Sequence, residues 1–358
     1  MKNIVPIIVT EDILTSTNVH EIAPALYDPG MTYAKGDFRH VVNGIKLDIY
    51  ESLKDENAGN TPEPSPEWWV FRSYTYPEYD PLVTYAKDDI VIVAADHKKY
   101  KSLQAGNIEN TPTGTSIDLY WSIPSATAPW SPFDVKIGSQ VERTGSIEYT
   151  LTPGNIVSGI SFFKLEASSI DITMTDPVEG VVYEKSVSLI STSNVFDAYS
   201  YRFAPFLMTR HTVETDLPPY RNAVLSIKIN AESDTATAKC GEIVFGAVQY
   251  SGVTEYSPSL EIVNYSDITP DLWGNLEVVE RSFTKKTNVE MTIDNSILQS
   301  VFEFLETYRA TPVVWIPTEI ETIKGPYLTY GYYKRATTVF EYLEDSIINV
   351  ELIGMTMT

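Results

Sequence analysis

The segment "YDPGMTYAKGD" begins at Tyr27, and "YDPLVTYAKDD" begins at Tyr79, 52 positions later. The two segments share eight of their eleven residues: Tyr, Asp, Pro, Thr, Tyr, Ala, Lys and the final Asp. The likeness continues through "IYESL" and "KYKSL", a shared "NTP" and a closing tryptophan. Such self-similarity indicates an internal duplication with units of about 45 residues. We call residues 27–75 cassette 1 and residues 76–125 cassette 2.

The aromatic residues of each cassette are the predicted core. A unit this small cannot bury a large aliphatic core, and aromatic rings provide the most burial per residue. The predicted core residues are Tyr27, Tyr33, Tyr50 and Trp69 in cassette 1, and Tyr79, Tyr85, Tyr100 and Trp121 in cassette 2.

Strand patterns dominate the rest of the chain. Abundant Tyr, Thr, Val and Ile, together with 22 Pro, favour strands bounded by turns. Period-two runs after the cassettes predict a β-sandwich. We predict a mainly β protein with an N-terminal arm (1–26), the two cassettes as small tandem β modules, the β-sandwich (126–255) and a C-terminal α+β domain (256–358). Whether the arm folds alone or pairs with another subunit stays open.

One segment, "DNSILQSVFEFLETYRATP", has helical periodicity. Its apolar residues fall on one face of a helix: Ile297, Leu298, Val301, Phe302, Leu305 and Tyr308. Asp294 is positioned to cap the start, and Pro312 stops the pattern. We therefore predict a single amphipathic helix in the α+β domain.

The charge of the chain limits its partners. With 48 acidic and 26 basic residues, the net charge is -22. Phosphate backbones repel such a chain, so we expect no direct nucleic-acid binding.

The single cysteine, Cys240, excludes an internal disulfide. We also expect no signal peptide, because Glu11 and Asp12 follow a short apolar run, and no membrane insertion.

Catalytic and metal-binding patterns are missing from the sequence. His20, His40, His97 and His211 lie in different segments without metal-ligand spacing. No nucleophile elbow, phosphate-binding loop, dinucleotide fingerprint or calcium loop occurs. We therefore expect no enzyme activity, no cofactor and no metal.

Aromatic pairs near the end of each cassette are candidates for binding. The pairs are Trp68 and Trp69 in cassette 1, and Tyr120 and Trp121 in cassette 2. Adjacent residues of a strand point to opposite faces, so one of each pair can be exposed while the other is buried. An exposed ring could stack on a sugar or fill a protein interface, and the sequence leaves both roles open.

The cassette motif resembles the small carbohydrate-binding module of bacterial chitinases. The pattern Y-x5-Y-x-x-G-D, a later Y-x-S-L and a closing tryptophan occur in both copies, with Asp88 in place of the usual glycine. Leu53-Lys54 and Leu103-Gln104 stand where sugar-binding members carry exposed aromatics. The resemblance implies the module's fold, without its sugar-stacking residues.

A second resemblance, to structural proteins of tailed bacteriophages, covers roughly residues 27–358. The segments that carry it are "WSPFDVKIGSQ" from Trp130, "TDLPPY" from Thr215, "LWGNLEVVERSFTKKTNVEMTI" from Leu272, "RATPVVWI" from Arg309 and "YGYYKRATTVF" from Tyr330. The resemblance implies a virion protein of the tail tip, baseplate or collar, made in the host bacterial cytoplasm. Its expected partners are other phage tail proteins and further copies of itself in a symmetric ring.

Two other functions stay open at this point. The first is a glycan-binding module that contacts host surface polysaccharide during adsorption. The second is an accessory protein that degrades such a polysaccharide, for which the sequence offers no catalytic signature.

Overall fold

A computed structural model describes residues 1–191, 196–203, 207–255, 258–270, 273–339 and 344–357. It shows a mainly β protein built from curled antiparallel sheets, which confirms the predicted fold class. Residue 256, where we placed the start of the α+β domain, lies outside the described residues.

The two cassettes form separate small sheets. The strands up to residue 126 are β1 (Lys2–Pro6), β2 (Leu14–Thr17), β3 (Thr32–Tyr33), β4 (Phe38–Asn43), β5 (Lys46–Ser52), β6 (Asn57–Ala58), β7 (Trp69–Thr75), β8 (Ile90–Val93), β9 (Lys98–Lys101) and β10 (Ser125–Ala126). Cassette 1 contains the sheets β4-β5-β7 and β3-β6, and cassette 2 contains β8-β9-β10. Short 3-10 turns lie at Ala94–Asp96, Gly114–Ser116 and Ala128–Phe133.

The middle of the chain packs two sheets face to face. Its elements are β11 (Val141–Thr144), β12 (Ser146–Leu151), β13 (Gly159–Phe163), β14 (Ser169–Asp176), β15 (Gly180–Ser188), β16 (Ile190–Ser191), α1 (Ala198–Phe203), β17 (Leu207–Met208), β18 (Thr212–Glu214), β19 (Val224–Asn230), β20 (Thr237–Cys240) and β21 (Glu242–Tyr250). Sheet β15-β14-β19-β12-β2 contributes Ile172 and Ile227 to the core, and β13 and β21 contribute Phe162 and Phe245 from the facing sheet.

The C-terminal part extends that facing sheet. Its elements are β22 (Val253–Thr254), β23 (Ser259–Asn264), β24 (Asp267–Pro270), β25 (Leu276–Val279), β26 (Phe283–Asp294), α2 (Leu298–Thr307), β27 (Val313–Ile316), α3 (Glu321–Tyr327), β28 (Thr329–Val339) and β29 (Asp345–Gly354). The sheet has the order β18-β13-β21-β1-β27-β28-β29-β26-β22, and β23 also pairs with β26. One hydrogen-bonded sheet therefore crosses the boundary that the sequence suggested between sandwich and α+β domain.

The N-terminal strand joins these two parts. β1 pairs antiparallel with β21 on one side and with β27 on the other. Gly246 is required at this junction, because a Cβ there would lie 1.8 Å from the Val5 carbonyl oxygen. The predicted arm, residues 1–26, thus contributes β1 as an internal strand of this sheet and β2 as an edge strand of the facing sheet.

Helix α2 covers the C-terminal sheet, as its periodicity predicted. Val301 and Leu305 of the predicted face are buried, its other residues are half-buried, and Phe304, which the prediction left out, is buried as well. The predicted cap at Asp294 is wrong, because its carboxylate accepts the Ser296 N–H in a turn that precedes the helix. The sequence analysis also missed α3, whose Gly325 and Pro326 interrupt any helical pattern.

Candidate interaction surfaces

Each cassette is built around a triad of aromatic rings. In cassette 1 the centroids of Tyr33 and Trp69 lie 5.2 Å apart, and Tyr27 lies 5.9 Å from Trp69. Cassette 2 repeats the triad with Tyr85 and Trp121 at 5.3 Å, and with Tyr79 at 5.9 Å from Trp121. Edge-to-face contacts of this kind stabilise a small core beyond the area that they bury.

A polar network around each triad is also duplicated. In cassette 1 the Asn57 side chain donates to Ser52 Oγ at 3.0 Å, and Asn60 donates to Asn57 Oδ1 at 2.9 Å. The indole N–H of Trp69 then donates to the Asn60 carbonyl at 2.8 Å. Cassette 2 repeats these bonds at 3.1, 2.9 and 2.8 Å through its equivalent residues Ser102, Asn107, Asn110 and Trp121. The shared residues therefore hold the fold of each cassette together.

This arrangement corrects the sugar-stacking prediction for two of its four residues. Trp69 is 2% exposed and Trp121 is fully buried, so neither ring has a free face for a sugar. Trp68 and Tyr120 are half-buried, and the Lys54 ammonium lies 4.7 Å from the centroid of the Trp68 ring. Stacking on a sugar at Trp68 would have to displace that ammonium group.

The predicted core residues have the same burial in both copies at three of the four corresponding positions, and only Tyr50 and Tyr100 differ. Tyr33, Tyr85 and Tyr100 are buried, whereas Tyr27, Tyr79 and Tyr50 are half-buried. Tyr50 packs edge-on against Phe71 with ring centroids 5.7 Å apart.

Cassette 1 is attached to the sandwich through Arg72. Its Nε forms an ion pair with Glu51 at 2.6 Å. Its Nη1 donates to the carbonyl oxygens of Thr144 and Asp234 at 3.2 and 3.1 Å. Because these acceptors belong to the sandwich, cassette 1 is fixed to the body of the protein.

Cassette 2 is attached through His97. Its ring stacks on Trp130 with centroids 4.1 Å apart, and its two nitrogens lie 3.0 Å from Glu21 and 2.9 Å from Glu11. Thr127 donates to the same Glu21 carboxylate at 2.6 Å. The sequence analysis assigned no role to His97, and the structure shows that it holds a cassette in place.

A buried carboxyl group lies where the sandwich meets the C-terminal sheet. Glu242 is 2% exposed, and its Oε1 accepts the Val135 N–H at 3.2 Å. Burial, followed by the charge of Asp134, raises the pKa of Glu242 to about 9. Burial and the neighbouring carboxyl of Glu242 also raise the pKa of Tyr330. The Glu242 carboxyl is therefore protonated at neutral pH.

The sandwich also holds a half-buried, uncharged histidine. His211 accepts the Lys164 N–H at 3.2 Å, and burial lowers the pKa of its ring to about 3. Within the described ranges no cluster of three His, Cys, Asp or Glu side chains is arranged to hold a metal ion. No helix in the described part of the chain is long and apolar enough to span a membrane.

A two-stranded hairpin carries the most exposed group of apolar side chains in the C-terminal part. We call β24, β25 and Trp273 between them the ribbon. All residues of the two strands are exposed, and Trp273 is 86% exposed. β24 and β25 pair only with each other among the described strands.

The ribbon has one apolar and one mostly polar face. In its register Ile268 lies opposite Val278, and Pro270 lies opposite Leu276. Residues two positions apart share a face, so these four form one apolar surface, and Asp267, Thr269, Glu277 and Val279 form the other. In antiparallel sheets with this alternation, the apolar face normally packs against the core and the polar face contacts water. In this chain the apolar face is open to solvent.

The sequence analysis placed this segment in the α+β domain and did not predict the ribbon. The alternation of Leu276, Glu277 and Val278 was the available signal. That signal predicts a covered face, and it carries no information on which chain covers it.

An apolar groove lies at the edge of the C-terminal sheet. It has a volume of about 660 Å³, and its apolar wall includes Val253, Ile316, Pro317, Ile320 and Ile323. The acidic groups at its rim have partners, because Glu319 pairs with Lys2, and Glu255 accepts the Thr292 hydroxyl. The wall of the groove is therefore mainly apolar, and the Glu255 carboxylate at its rim keeps its negative charge.

Comparison with known proteins gives no relative: no family model, no curated protein and no solved structure matches this chain.

Proposed function

We propose that this protein is a structural subunit of a bacteriophage tail that assembles with copies of itself and with other virion proteins. The observation that supports the proposal best is the ribbon, whose apolar face is uncovered. Isolated two-stranded hairpins are marginally stable in water, and exposed apolar patches mark interaction sites. We therefore expect a neighbouring subunit to cover the apolar face of the ribbon in the assembled tail.

The arrangement of the cassettes supports the same proposal. Their repeated residues form internal networks, and Arg72 and His97 fix both cassettes to the body. Rigid attachment suits a subunit that holds a defined place among neighbours. The location in the tail tip, baseplate or collar comes from the sequence resemblance, and the structure adds the exposed contact surface.

Immunogold labelling of purified particles tests the proposal. Antibody raised against the cassettes is expected to label the tail tip, baseplate or collar, and peptides of the chain are expected in the particle proteome. Particles without label and without such peptides would refute a virion role, whatever the chain does in solution.

Glycan binding during adsorption is the alternative, and it rests on the half-exposed rings of Trp68 and Tyr120. It predicts quenching or enhancement of tryptophan fluorescence when host polysaccharide is added. The change should disappear in Trp68→Ala, and an unchanged spectrum of the wild-type protein would exclude this use of Trp68.

A further inference from the structure

We propose that Asn43 is a site of spontaneous deamidation, at which aspartate or isoaspartate replaces the asparagine as the protein ages. Asn43 is followed by Gly44, and the sequence contains no other Asn-Gly pair. The two residues lie at the tip of the β4-β5 hairpin of cassette 1. The inference is independent of the proposed function.

The hairpin tip leaves the reacting groups accessible. Asn43 is the last residue of β4 and pairs with Lys46, so Gly44 lies in the turn and the ladder does not use its N–H. Both Asn43 and Gly44 are exposed. Gly44 has a φ of 61°, and a Cβ atom built on it would have no neighbouring atom within 4 Å. The peptide bond between the two residues therefore lies at an open surface.

The reaction joins the backbone nitrogen of Gly44 to the Cγ atom of Asn43. As this bond forms, the Cγ–Nδ2 bond breaks, and the Gly44 amide proton leaves with the side-chain nitrogen as ammonia. Water then opens the cyclic imide at either of its two carbonyl carbons, which gives aspartate or isoaspartate. Glycine favours the attack, because it has no Cβ to obstruct it and adopts the required backbone angles more easily than other residues.

The end of the ladder opens at low cost. Strand ends fray with a small free energy, and the Asn43–Lys46 pair is the last pair of this ladder. The Asn43 side-chain amide donates one hydrogen bond, to Asp48 Oδ2 at 2.7 Å. Only this bond and the terminal pair have to break before the Gly44 nitrogen can approach Cγ.

The other four asparagines of the cassettes are protected. Asn57 and Asn107 are buried. Asn60 and Asn110 are each followed by threonine, whose branched side chain obstructs the attack. The turn of cassette 2 that corresponds to the hairpin tip is the 3-10 turn Ala94–Asp96, which contains no asparagine. Cassette 2 is therefore an internal control for cassette 1.

The products disturb the hairpin in which they form. Asp48 accepts a hydrogen bond from the Asn43 amide, and after deamidation it would face a second carboxylate, which repels it. Isoaspartate also adds one carbon atom to the backbone, so Asn43 and Lys46 can no longer keep their register. β5 is the central strand of the sheet β4-β5-β7. We therefore expect ageing to loosen cassette 1 and to leave cassette 2 unchanged.

Mass spectrometry of the aged protein tests the site. Trypsin releases residues 40–46, HVVNGIK, in which Asn43 is the only asparagine, and residues 102–136 of cassette 2. The full chain is incubated at mildly alkaline pH beside a synthetic peptide of residues 40–46, which gives the rate without the fold. Asn43→Gln is the matched control, because glutamine keeps the amide but forms its larger cyclic imide much more slowly.

The expected conversion is confined to one peptide. Residues 40–46 of the folded chain should gain the mass difference between NH2 and OH and separate into two products of equal mass. Because fraying costs only one or two hydrogen bonds, the rate should be no more than about tenfold below that of the synthetic peptide. Residues 102–136 should stay unchanged. A protease should cleave cassette 1 of aged wild type sooner than that of fresh protein, and the Asn43→Gln variant should show no such change.

Three outcomes would overturn the proposal. A folded chain whose residues 40–46 stay intact while the synthetic peptide converts would show that the hairpin protects Asn43. Equal conversion within residues 102–136 would show that the hairpin tip is not a distinct site. Equal proteolysis of aged and fresh wild type would remove the expected loosening of cassette 1. Each of these results leaves the virion proposal unaffected.

Discussion

The cassettes and the ribbon both carry large apolar side chains. The cassettes bury them in their own cores, whereas the ribbon exposes them to solvent. In the cassettes the rings of Tyr33, Trp69, Tyr85 and Trp121 point inward. The indole N–H groups of both tryptophans are satisfied by carbonyl oxygens of the same cassette. In the ribbon Ile268, Trp273, Leu276 and Val278 are each more than half exposed.

This difference separates residues that fold the chain from residues available to a partner. Trp69 and Trp121, which the sequence offered both as core residues and as possible binding residues, are core residues. The ribbon was not predicted from the sequence, and it carries an exposed apolar surface. The predictions below test this separation, from the largest expected effect to the smallest.

Removal of a core ring should unfold its cassette. Trp121→Ala creates a large cavity and leaves the Asn110 carbonyl without its indole donor. We expect the free energy of unfolding of cassette 2 to fall by about 3–5 kcal/mol. Urea denaturation combined with limited proteolysis measures the loss. Trp68→Ala is the control, with a smaller expected loss because that ring is only half-buried. Equal losses would contradict the assignment of these rings.

The buried carboxyl should make stability depend on pH. The pKa of Glu242 is raised to about 9 in the fold, while an unfolded glutamate titrates near its ordinary value of 4.5. The unfolded state therefore releases this proton first, and stability falls as pH rises between these values, by about 1.4 kcal/mol per pH unit.

Glu242→Gln should remove that dependence, because an amide does not ionise in this range. Thermal denaturation of the wild type and the variant between pH 7 and 9 tests this expectation. The range is chosen because the half-buried His211 affects stability only at lower pH. His211, with its pKa lowered to about 3, costs stability only as pH falls below about 6.5. The same slope in wild type and variant would show that Glu242 is already ionised in the fold.

The duplicated amide network should be equally important in both cassettes. Asn57→Ala and Asn107→Ala each leave buried partners unsatisfied, which costs about 1–3 kcal/mol. Differential scanning calorimetry of the two variants compares the copies. A loss in only one of them would indicate that the network has lost its structural role in the other copy.

Backbone conformation offers a smaller, reciprocal test. Glu109 and its counterpart Gly59 both have positive φ, at 59° and 72°. Because a non-glycine residue in this region costs roughly 1–2 kcal/mol, we expect Glu109→Gly to stabilise cassette 2 by about 1 kcal/mol and Gly59→Glu to destabilise cassette 1. Chemical denaturation of both variants measures the pair. Changes of the same sign would contradict the equivalence of the two turns.

The ribbon should contribute least to the stability of the single chain. Trp273→Glu removes an 86% exposed ring, so we expect the free energy of unfolding to change by no more than about 0.5 kcal/mol. A loss comparable to that of Trp121→Ala would show that Trp273 packs within its own chain.

The sequence predicted the local features better than the long-range ones. The shared Tyr, Asn and Trp residues indicated the cassettes, because a repeated core must keep the same residues at the same spacing. The position of β1 was not predictable, since its pairing with β21 brings residues about 250 positions apart together and depends on the missing Cβ of Gly246.

The ribbon was hidden for a different reason. Alternation at Leu276 and Val278 shows that a strand needs one covered face, and a single sequence does not reveal whether the cover belongs to the same chain. Trp69 and Trp121 were predicted both as core residues and as members of aromatic pairs that could bind a partner. Their burial agrees with the first prediction and leaves only Trp68 and Tyr120 for the second.

Sedimentation velocity of the full chain in high salt tests the central claim most directly. The wild-type protein and the control Val178→Glu are predicted to sediment as a discrete oligomer, and Trp273→Glu as the 40.1 kDa monomer. A wild-type protein that stays monomeric at every concentration and salt tested, or a Trp273→Glu variant that assembles like the wild type, would contradict assembly through the ribbon.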